Sequence, residues 1–543
     1  TAGIVALPLA LAFGVQSGLG AIYGLYGAMI LGMIAAIFGG TKTQVSGPTG
    51  PMTVVTALVV TSAIKNAGSL ELGMGIVIAS FMLAGVFLMI FGALNIGKSV
   101  RYMPYPVVSG FMSGIGVLII LYQLYPMLGS VSEKNAINVV LNIGTALSNI
   151  NVSALGLSVL TIGIIYLLPK LTKKIPSILF ALIAGTLITL LFHLKVATIG
   201  TIPEGLPQLK LFELHKVTRD YMWLIVEFAA TLAALSAIDS LLTSVIADNI
   251  TKTRHNSNKE LIGQGIGNLI SGIFGGLPGA GATMRTVTNI KSGGTTKLSG
   301  FVHGIFLLFV LIGLGQYVSY IPLSVLAGIL FTVGIDIIDY KGLEHLTKVP
   351  KKDSVVLVIV FLFTVFGNLL HAVAIGLILA CVLFMKQASE LAESKTSIRE
   401  LSVTGEREVL FKKVINQVYI KDVHGPLFFG FTSKFQEMIF QLDIKLKLLV
   451  LQMDSVPSID QSGLYALEDV ILSLYKKDVI VLLCNVQPQP LSMMQRIDIV
   501  PQLVPNEHVF ETFKECEQWI FDHLQDYDDF DQLKLKLNLN KLK

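Results

Sequence analysis

Charge is what this 543-residue chain has least of. Only 14% of its residues are Asp, Glu, Lys or Arg, where a soluble domain carries about 25%. The shortfall excludes an ordinary soluble enzyme, and the apolar content excludes a disordered chain. Residues 1–41 hold no charge at all. Cysteine is scarce too. Cys381, Cys484 and Cys516 have neither the number nor the spacing of a disulfide framework or a thiolate metal site, which fits a reducing compartment. The histidines are scattered without metal-ligand spacing, so no metal or resident cofactor is expected. The net charge of +4 is small and dispersed, which excludes a nucleic-acid surface. No basic stretch precedes the opening apolar run, so that run is not a secretory signal. It reads as a first membrane helix whose own start is missing.

Apolar residues fill the space that charge leaves. They make up 53% of the chain, and mean hydropathy is +0.71. The charges that exist are unevenly placed, with 41 in residues 1–400 and 35 in the last 143. A membrane domain over 1–390 is therefore expected, then a linker over 391–404, a soluble domain over 405–525 and a low-complexity tail over 526–543. Crossing the hydrocarbon takes about 20 residues of helix. Twelve segments qualify, beginning with 1–15 and 21–39 and ending with 354–370 and 372–388. Two shorter stretches, 50–64 and 281–292, are richer in Thr and Gly and bring the count to fourteen. With an even count and the soluble domain in the cytosol, the loops assigned inside carry fourteen Lys and Arg residues, among them Lys42, Lys98, Arg101, Lys173, Lys174 and Lys351. Loops assigned outside carry only a scatter. That is the positive-inside bias.

The two short stretches resemble each other. Ile37-Phe38-Gly39-Gly40 precedes TKTQVSGPTGPMTVV, and Ile273-Phe274-Gly275-Gly276 precedes LPGAGATMRTVTN. Paired Gly/Pro-interrupted segments in two halves of a membrane chain point to a binding site. A half-helix starting at membrane depth leaves its first N–H groups unpaired, and its dipole places about half a positive charge there. Two such ends facing each other make an anion site. Thr49 and Thr53 add hydroxyl donors at the first. Gly281, Ala282 and Thr283 let an anion approach the backbone at the second. Arg285 is the lone charge in that stretch, either attracting the anion or pairing with a carboxylate.

Asp239 lies deep in the segment 221–247, and a carboxylate at that depth is costly enough to mark a functional candidate. Thr243, four residues on, shares its face. Together they suit a small hard cation such as Na⁺, or Asp239 carries a proton, or it merely pairs with Arg285. The stretch Gly92-ALNI-Gly97-Lys98-Ser99 matches a phosphate-loop pattern letter for letter. It closes an apolar helix instead of following a strand, so nucleotide binding is rejected.

At this point several stretches carry a likeness. ALPLALAFGVQSGLGAIYGLYGAMI, FGGTKTQVSGPTGPMTVV, PYPVVSGFMSGIGVLI and IGNLISGIFGGLPGAGATMRTVTNI resemble the sulfate permease (SulP) anion transporter family. The likeness continues into a C-terminal STAS domain. It implies an all-α polytopic membrane domain of 14 segments arranged as 7+7 inverted repeats with two half-helices, a core moving against a gate by alternating access, and a cytosolic α/β STAS domain. It also implies a multi-pass protein of the inner (plasma) membrane, a homodimer joined through STAS, and no enzymatic activity. Within the family, PTGPMT, AIDSLLT and GAGATMRT are most similar to sodium-dependent bicarbonate carriers. The resemblance then implies anion contacts from Thr49 and Ala282, and a sodium site from Asp239, Thr243, Gly281, Ala282 and Thr283. Many members have Glu in place of this Asp and Ser at the positions of Ala282 and Met284.

The soluble domain alternates strand-like and helix-like runs, as an α/β layer domain does. Asp460 can cap the helix that follows it. Ser462 matches a phosphorylated serine of STAS domains that resemble anti-sigma factor antagonists, although Gln461 replaces the serine before it. The expectation is thus a Na⁺-coupled bicarbonate symporter. A proton-coupled sulfate or dicarboxylate carrier, an anion exchanger, and an anion sensor signalling through STAS are the alternatives.

Overall fold

Backbone that crosses a lipid layer must satisfy its own hydrogen bonds, and helices do so within one segment. In a computed structural model of the chain, described over residues 2–98, 103–133, 135–172, 175–200, 207–367, 369–400, 417–441 and 446–524, the first part is built that way. Two units emerge, Thr1–Ala380 and Cys381–Lys543.

The first unit opens with α1 (Ala2–Gln16), α2 (Ala21–Phe38), the two-residue strand β1 (Ser46–Gly47), α3 (Gly50–Ala67), α4 (Leu70–Ala93), α5 (Tyr105–Met127), α6 (Val152–Leu171) and α7 (Ser177–Leu191). A second series repeats the order: α8 (Met222–Thr251), α9 (Ser257–Ile273), strand β2 (Ala280–Gly281), α10 (Thr283–Lys291), α11 (Lys297–Val318), α12 (Leu323–Ile337), α13 (Lys351–Phe366) and α14 (Leu369–Lys395). Short helices at Ala136–Leu141, Ile143–Ser148 and Tyr340–Glu344 lie in the connections. In both series a helix, a two-residue strand and another helix follow one another, and the fourteen longer helices divide seven and seven. Among the described residues, six helices are long and apolar enough to cross a membrane unaided.

Helix α3 runs 18 residues, longer than the half-helix expected over 50–64. Its C-terminus falls at Gly68, whose φ of 87° lets the backbone turn back so that its N–H reaches Ile64 O. Helix α10, at 9 residues, is as short as expected.

The helices sort into two groups. Helix α4 packs on α8 and α9, and α2 on α9 and α11; α5 packs on α12 and α13, and α12 on α6. Glycines set the spacing. A Cβ at Gly85 of α4 would come within 2.6 Å of Gly265 O of α9, and one at Gly265 within 2.6 Å of Gly85 O. Gly116 of α5 and Gly334 of α12 stand in the same mutual relation. Close backbone approach of this kind supplies the van der Waals contact that the hydrophobic effect cannot supply inside lipid.

In the second unit, β3 (Ser397–Glu400), β4 (Val418–His424), β5 (Leu448–Ser455), β6 (Ile480–Cys484) and β7 (Val509–Phe510) form one sheet in that order. Strand β3 is antiparallel to β4 and the rest are parallel. Helices α15 (Thr432–Phe440), α16 (Gln461–Lys476), α17 (Pro488–Arg496) and α18 (Phe513–Leu524) complete it. Leu449, Leu451, Val481 and Leu483 join Phe435 and Leu467 in one core. Their alternates Leu448, Val450, Ile480 and Leu482 pack with Cys516 and Ile520 in another, as the two-residue period of a buried strand requires. The apolar run GPLFFGF that follows β4 forms no strand. Gly425 takes φ 80° and ends the strand at His424. The stretch 391–404 holds the end of α14 and all of β3. The expected tail, 526–543, lies outside the described residues, as do Arg101, Lys173 and Lys174.

Candidate functional site

The two interrupted segments meet. Strands β1 and β2 pair antiparallel, with Ser46 opposite Gly281 and Gly47 opposite Ala280. Ala282 N donates to Val45 O at 2.9 Å, extending the ladder by one bond. Since α3 and α10 start a few residues beyond this ladder, it holds their N-terminal ends close together. Thr49 is the residue before α3, and its extended backbone leaves its side chain free of any capping bond. Ala282 has the same place before α10. No described residue accepts from the N–H groups of Thr283, Met284 or Arg285. Two helix starts with unpaired donors therefore adjoin one place, the arrangement that attracts a small anion.

Helix α8 lays a row of hydroxyls along the second segment. Ser236 Oγ donates to Gly279 O at 2.8 Å, and Ser240 Oγ accepts from Gly281 N at 2.9 Å. Thr243 Oγ1 donates to Gly281 O at 2.9 Å and lies 2.7 Å from Thr283 Oγ1. Thr243, Gly281 and Thr283 are thus brought together, with hydroxyl and carbonyl oxygens converging. Asp239 sits on the same stretch of α8, near Thr49 and within electrostatic reach of Arg285. Its Oδ2 is buried without a hydrogen bond among the described residues, and so is Thr49 Oγ1. A buried carboxylate oxygen without a donor is costly, which makes it a candidate ligand for a cation.

Two residues make bonds that bear on their expected parts. Thr53 is fully buried, and its hydroxyl donates to Thr49 O at 2.8 Å. A proton committed to the preceding turn cannot be offered to an anion, so Thr53 shapes the helix start instead. Arg285 forms no ion pair with Asp239 within 4 Å. Its Nη2 donates to Pro48 O, and its guanidinium packs on Gly47, where a Cβ would fall 2.5 Å from Nη1. The arginine braces the turn before α3 and contributes its charge from there.

Sequence reasoning missed what supports the ladder from behind. Glu260 of α9, 1% exposed, accepts from Gly40 N and Thr41 N at 2.8 Å and from Gln44 Nε2 and Gln264 Nε2 at 2.9 Å. Gln264 Nε2 also donates to Ser46 Oγ at 2.6 Å. Asn268 Oδ1 accepts from Gly279 N at 2.8 Å, and Ser244 Oγ donates to Gln44 Oε1 at 2.8 Å. Glu260, Gln264, Asn268 and Ser271 recur at helical spacing, a buried polar stripe that was readable within the segment 258–275. His303 is buried against Gly32 of α2, with neither ring nitrogen hydrogen-bonded among the described residues.

In the second unit, Asp460 Oδ1 accepts from Gly463 N at 2.7 Å, the expected cap, and its Oδ2 accepts from Phe429 N at 3.0 Å. Ser462 is exposed in the first turn of α16.

Comparison with known proteins decides the family. The sulfate permease family profile matches residues 1–360, and the STAS domain profile matches 411–516. The chain belongs to the sulfate permease family. This member of it is an anion transporter, not an enzyme, with a multi-pass membrane domain followed by STAS. It is 40% identical to the bicarbonate transporter BicA of Picosynechococcus sp., over 97% of this chain and 95% of that one. It is 33% identical to the putative sulfate transporter YvdB of Bacillus subtilis, over 94% of each chain. Among solved structures, the transmembrane domain of a cyanobacterial BicA matches 70% of this chain and 94% of its own length, at 45% identity and a TM-score of 0.63. The overall structure of SLC26A9 matches 98% of this chain and 90% of its own, at 19% identity and a TM-score of 0.82, a likeness of fold.

Proposed function

We propose that this sulfate permease family member is a Na⁺-coupled bicarbonate symporter working by alternating access, with its STAS domain in the cytosol. The observation that carries the reading is the buried, unpartnered Oδ2 of Asp239 on the helix whose Thr243 reaches Gly281 and Thr283. Na⁺ takes oxygen ligands, and Thr243, Thr283 and the Gly281 carbonyl offer them beside the carboxylate. The anion takes the two helix starts, met by Thr49 and the backbone after Ala282. A dipole pair totals about one positive charge, which matches a monovalent anion. The BicA relatives, named as bicarbonate transporters, support that choice of anion.

With the cation absent, Asp239 repels the anion across a low-dielectric gap. With it bound, the repulsion becomes attraction, so the two ions bind with positive, reciprocal coupling. Uptake of labelled bicarbonate into proteoliposomes, with Na⁺ replaced by choline, tests this. Sodium-stimulated uptake is expected. Uptake indifferent to Na⁺ and rising as external pH falls would instead assign Asp239 to proton coupling and favour sulfate as substrate.

A further inference from the structure

Away from the paired strands, a cavity of about 380 Å³ lies between the two helix groups. Its wall takes Val15 and Gln16 from the end of α1, Val54 and Thr61 from α3, Tyr122 from α5 and Ser324 from the start of α12. The wall is mainly apolar, yet three polar atoms on it are stranded. Ser324 is 3% exposed and its Oγ has no hydrogen-bond partner; neither Nε2 nor Oε1 of Gln16 has one.

The two helix ends at this cavity differ in sign. Helix α12 presents its N-terminus, where the backbone dipoles leave about half a positive charge. Leu323 N is taken by Ala197 O, and Val325 N and Leu326 N turn back to Pro322 O, while Ser324 N has no acceptor among the described residues. The end of α1 would repel an anion, but three of its last four carbonyls are covered. Phe13 O accepts from Ser17 N at 2.9 Å, Val15 O from Gly18 N at 3.0 Å, and Gly14 O from Ser17 Oγ at 2.7 Å. What remains is a positive helix end, a hydroxyl, a backbone N–H and a carboxamide, all buried in apolar walls that strengthen polar contacts.

We propose that this cavity holds a second site for a small monovalent inorganic anion, seated at the N-terminus of α12 against Ser324 and the Gln16 carboxamide. A dianion does not fit. The site holds no full positive charge to offset its desolvation, and Glu133, also on the wall and bonded by Asn142 Nδ2 at 3.3 Å, repels any anion, but a dianion about twice as strongly as a monoanion. The loop charges put the end of α1 and the start of α12 on the outer side. The site is then where an incoming anion waits before the central site opens to it, a role that rests on the proposed transport function.

Bromide tests it, because it scatters anomalously and shows each site separately. In crystals of the full chain grown in sodium bromide, a peak is expected within about 3.5 Å of Ser324 Oγ, and the Ser324→Ala protein is expected to lose it. In proteoliposomes the same variant is expected to raise the KM for bicarbonate by about tenfold or more, at unchanged maximal rate, since one hydrogen bond to a charge is lost. Gln16→Leu is expected to act in the same direction. A wild-type peak missing at Ser324, or one that persists in Ser324→Ala, overturns the proposal. Bromide found only between Thr49 and Ala282 removes the outer site and leaves the transport reading standing. Bromide at neither place removes both.

Discussion

Ser46 stands opposite Gly281 across an antiparallel ladder, although the two residues belong to different halves of the chain. The central anion site proposed above depends on this pairing, because it fixes where two helices start. The residues around it define what to change.

Asp239→Asn keeps the size of the side chain and removes its charge. Sodium-stimulated uptake is expected to vanish while the protein stays folded, measured by uptake and by gel filtration. Thr243→Ala removes one neutral oxygen and is expected to raise the sodium requirement more mildly. An Asp239→Asn protein that keeps its full sodium response would falsify the cation assignment.

Glu260→Gln strikes the support of the site. The carboxylate accepts four hydrogen bonds, and the amide replaces one acceptor oxygen with a group that faces donors. A loss of about 3 kcal/mol is expected from buried bonds to a charged acceptor left unmade. Thermal unfolding in detergent should show it, together with a raised KM for the anion as the segment 40–44 loosens.

Gly116→Ala places a methyl group 2.6 Å from Gly334 O, where nothing but backbone can yield. Helices α5 and α12 must part, and packing loss of about 1–3 kcal/mol is expected. Gly156→Ala, with open space around it, is the matching control and should show no loss of stability in the same unfolding measurement.

Lys421 lies in β4, 1% exposed, with Nζ unpartnered. Burial lowers its pKa from 10.5 to about 8, partly offset by Asp422. The unfolded chain then binds more protons between pH 8 and 10.5, so stability rises with pH across that window. Urea unfolding of the soluble domain should show a midpoint that climbs from pH 8 to 10. Lys421→Met should be more stable at pH 7 and lack that climb.

Removal of residues 405–543 tests the proposed dimer. The remaining membrane domain is expected to fold and to elute mainly as a monomer, since the family resemblance implies a homodimer joined through STAS. An unchanged dimer would place the contact among the membrane helices.

Much of this was legible before any coordinates. The repeated IFGG ends marked both interruptions, and the depth of Asp239 in an apolar run marked the carboxylate. Local chemistry announces itself in that way. Thr53 did not, because a threonine at a helix start can donate forward to a ligand or back one turn, and only the backbone decides. Arg285 reaches Pro48, a partner far off in the chain that no local pattern names. The stripe from Glu260 to Ser271 was present at spacings of four, four and three but lay inside a segment read for its length and apolar content alone.

The strand pair also bears on how the protein is made. Gly40 N, Thr41 N and Val45 N find acceptors on Glu260 and Thr286, and Val45 O finds its donor at Ala282. These partners leave the ribosome more than two hundred residues later. Until then, these peptide groups of the first half lack their final partners and must be satisfied by water or by the insertion machinery. Nascent chains halted before residue 260 should therefore be the most readily degraded, and stable insertion should begin only once the second interrupted segment, through α10, has emerged.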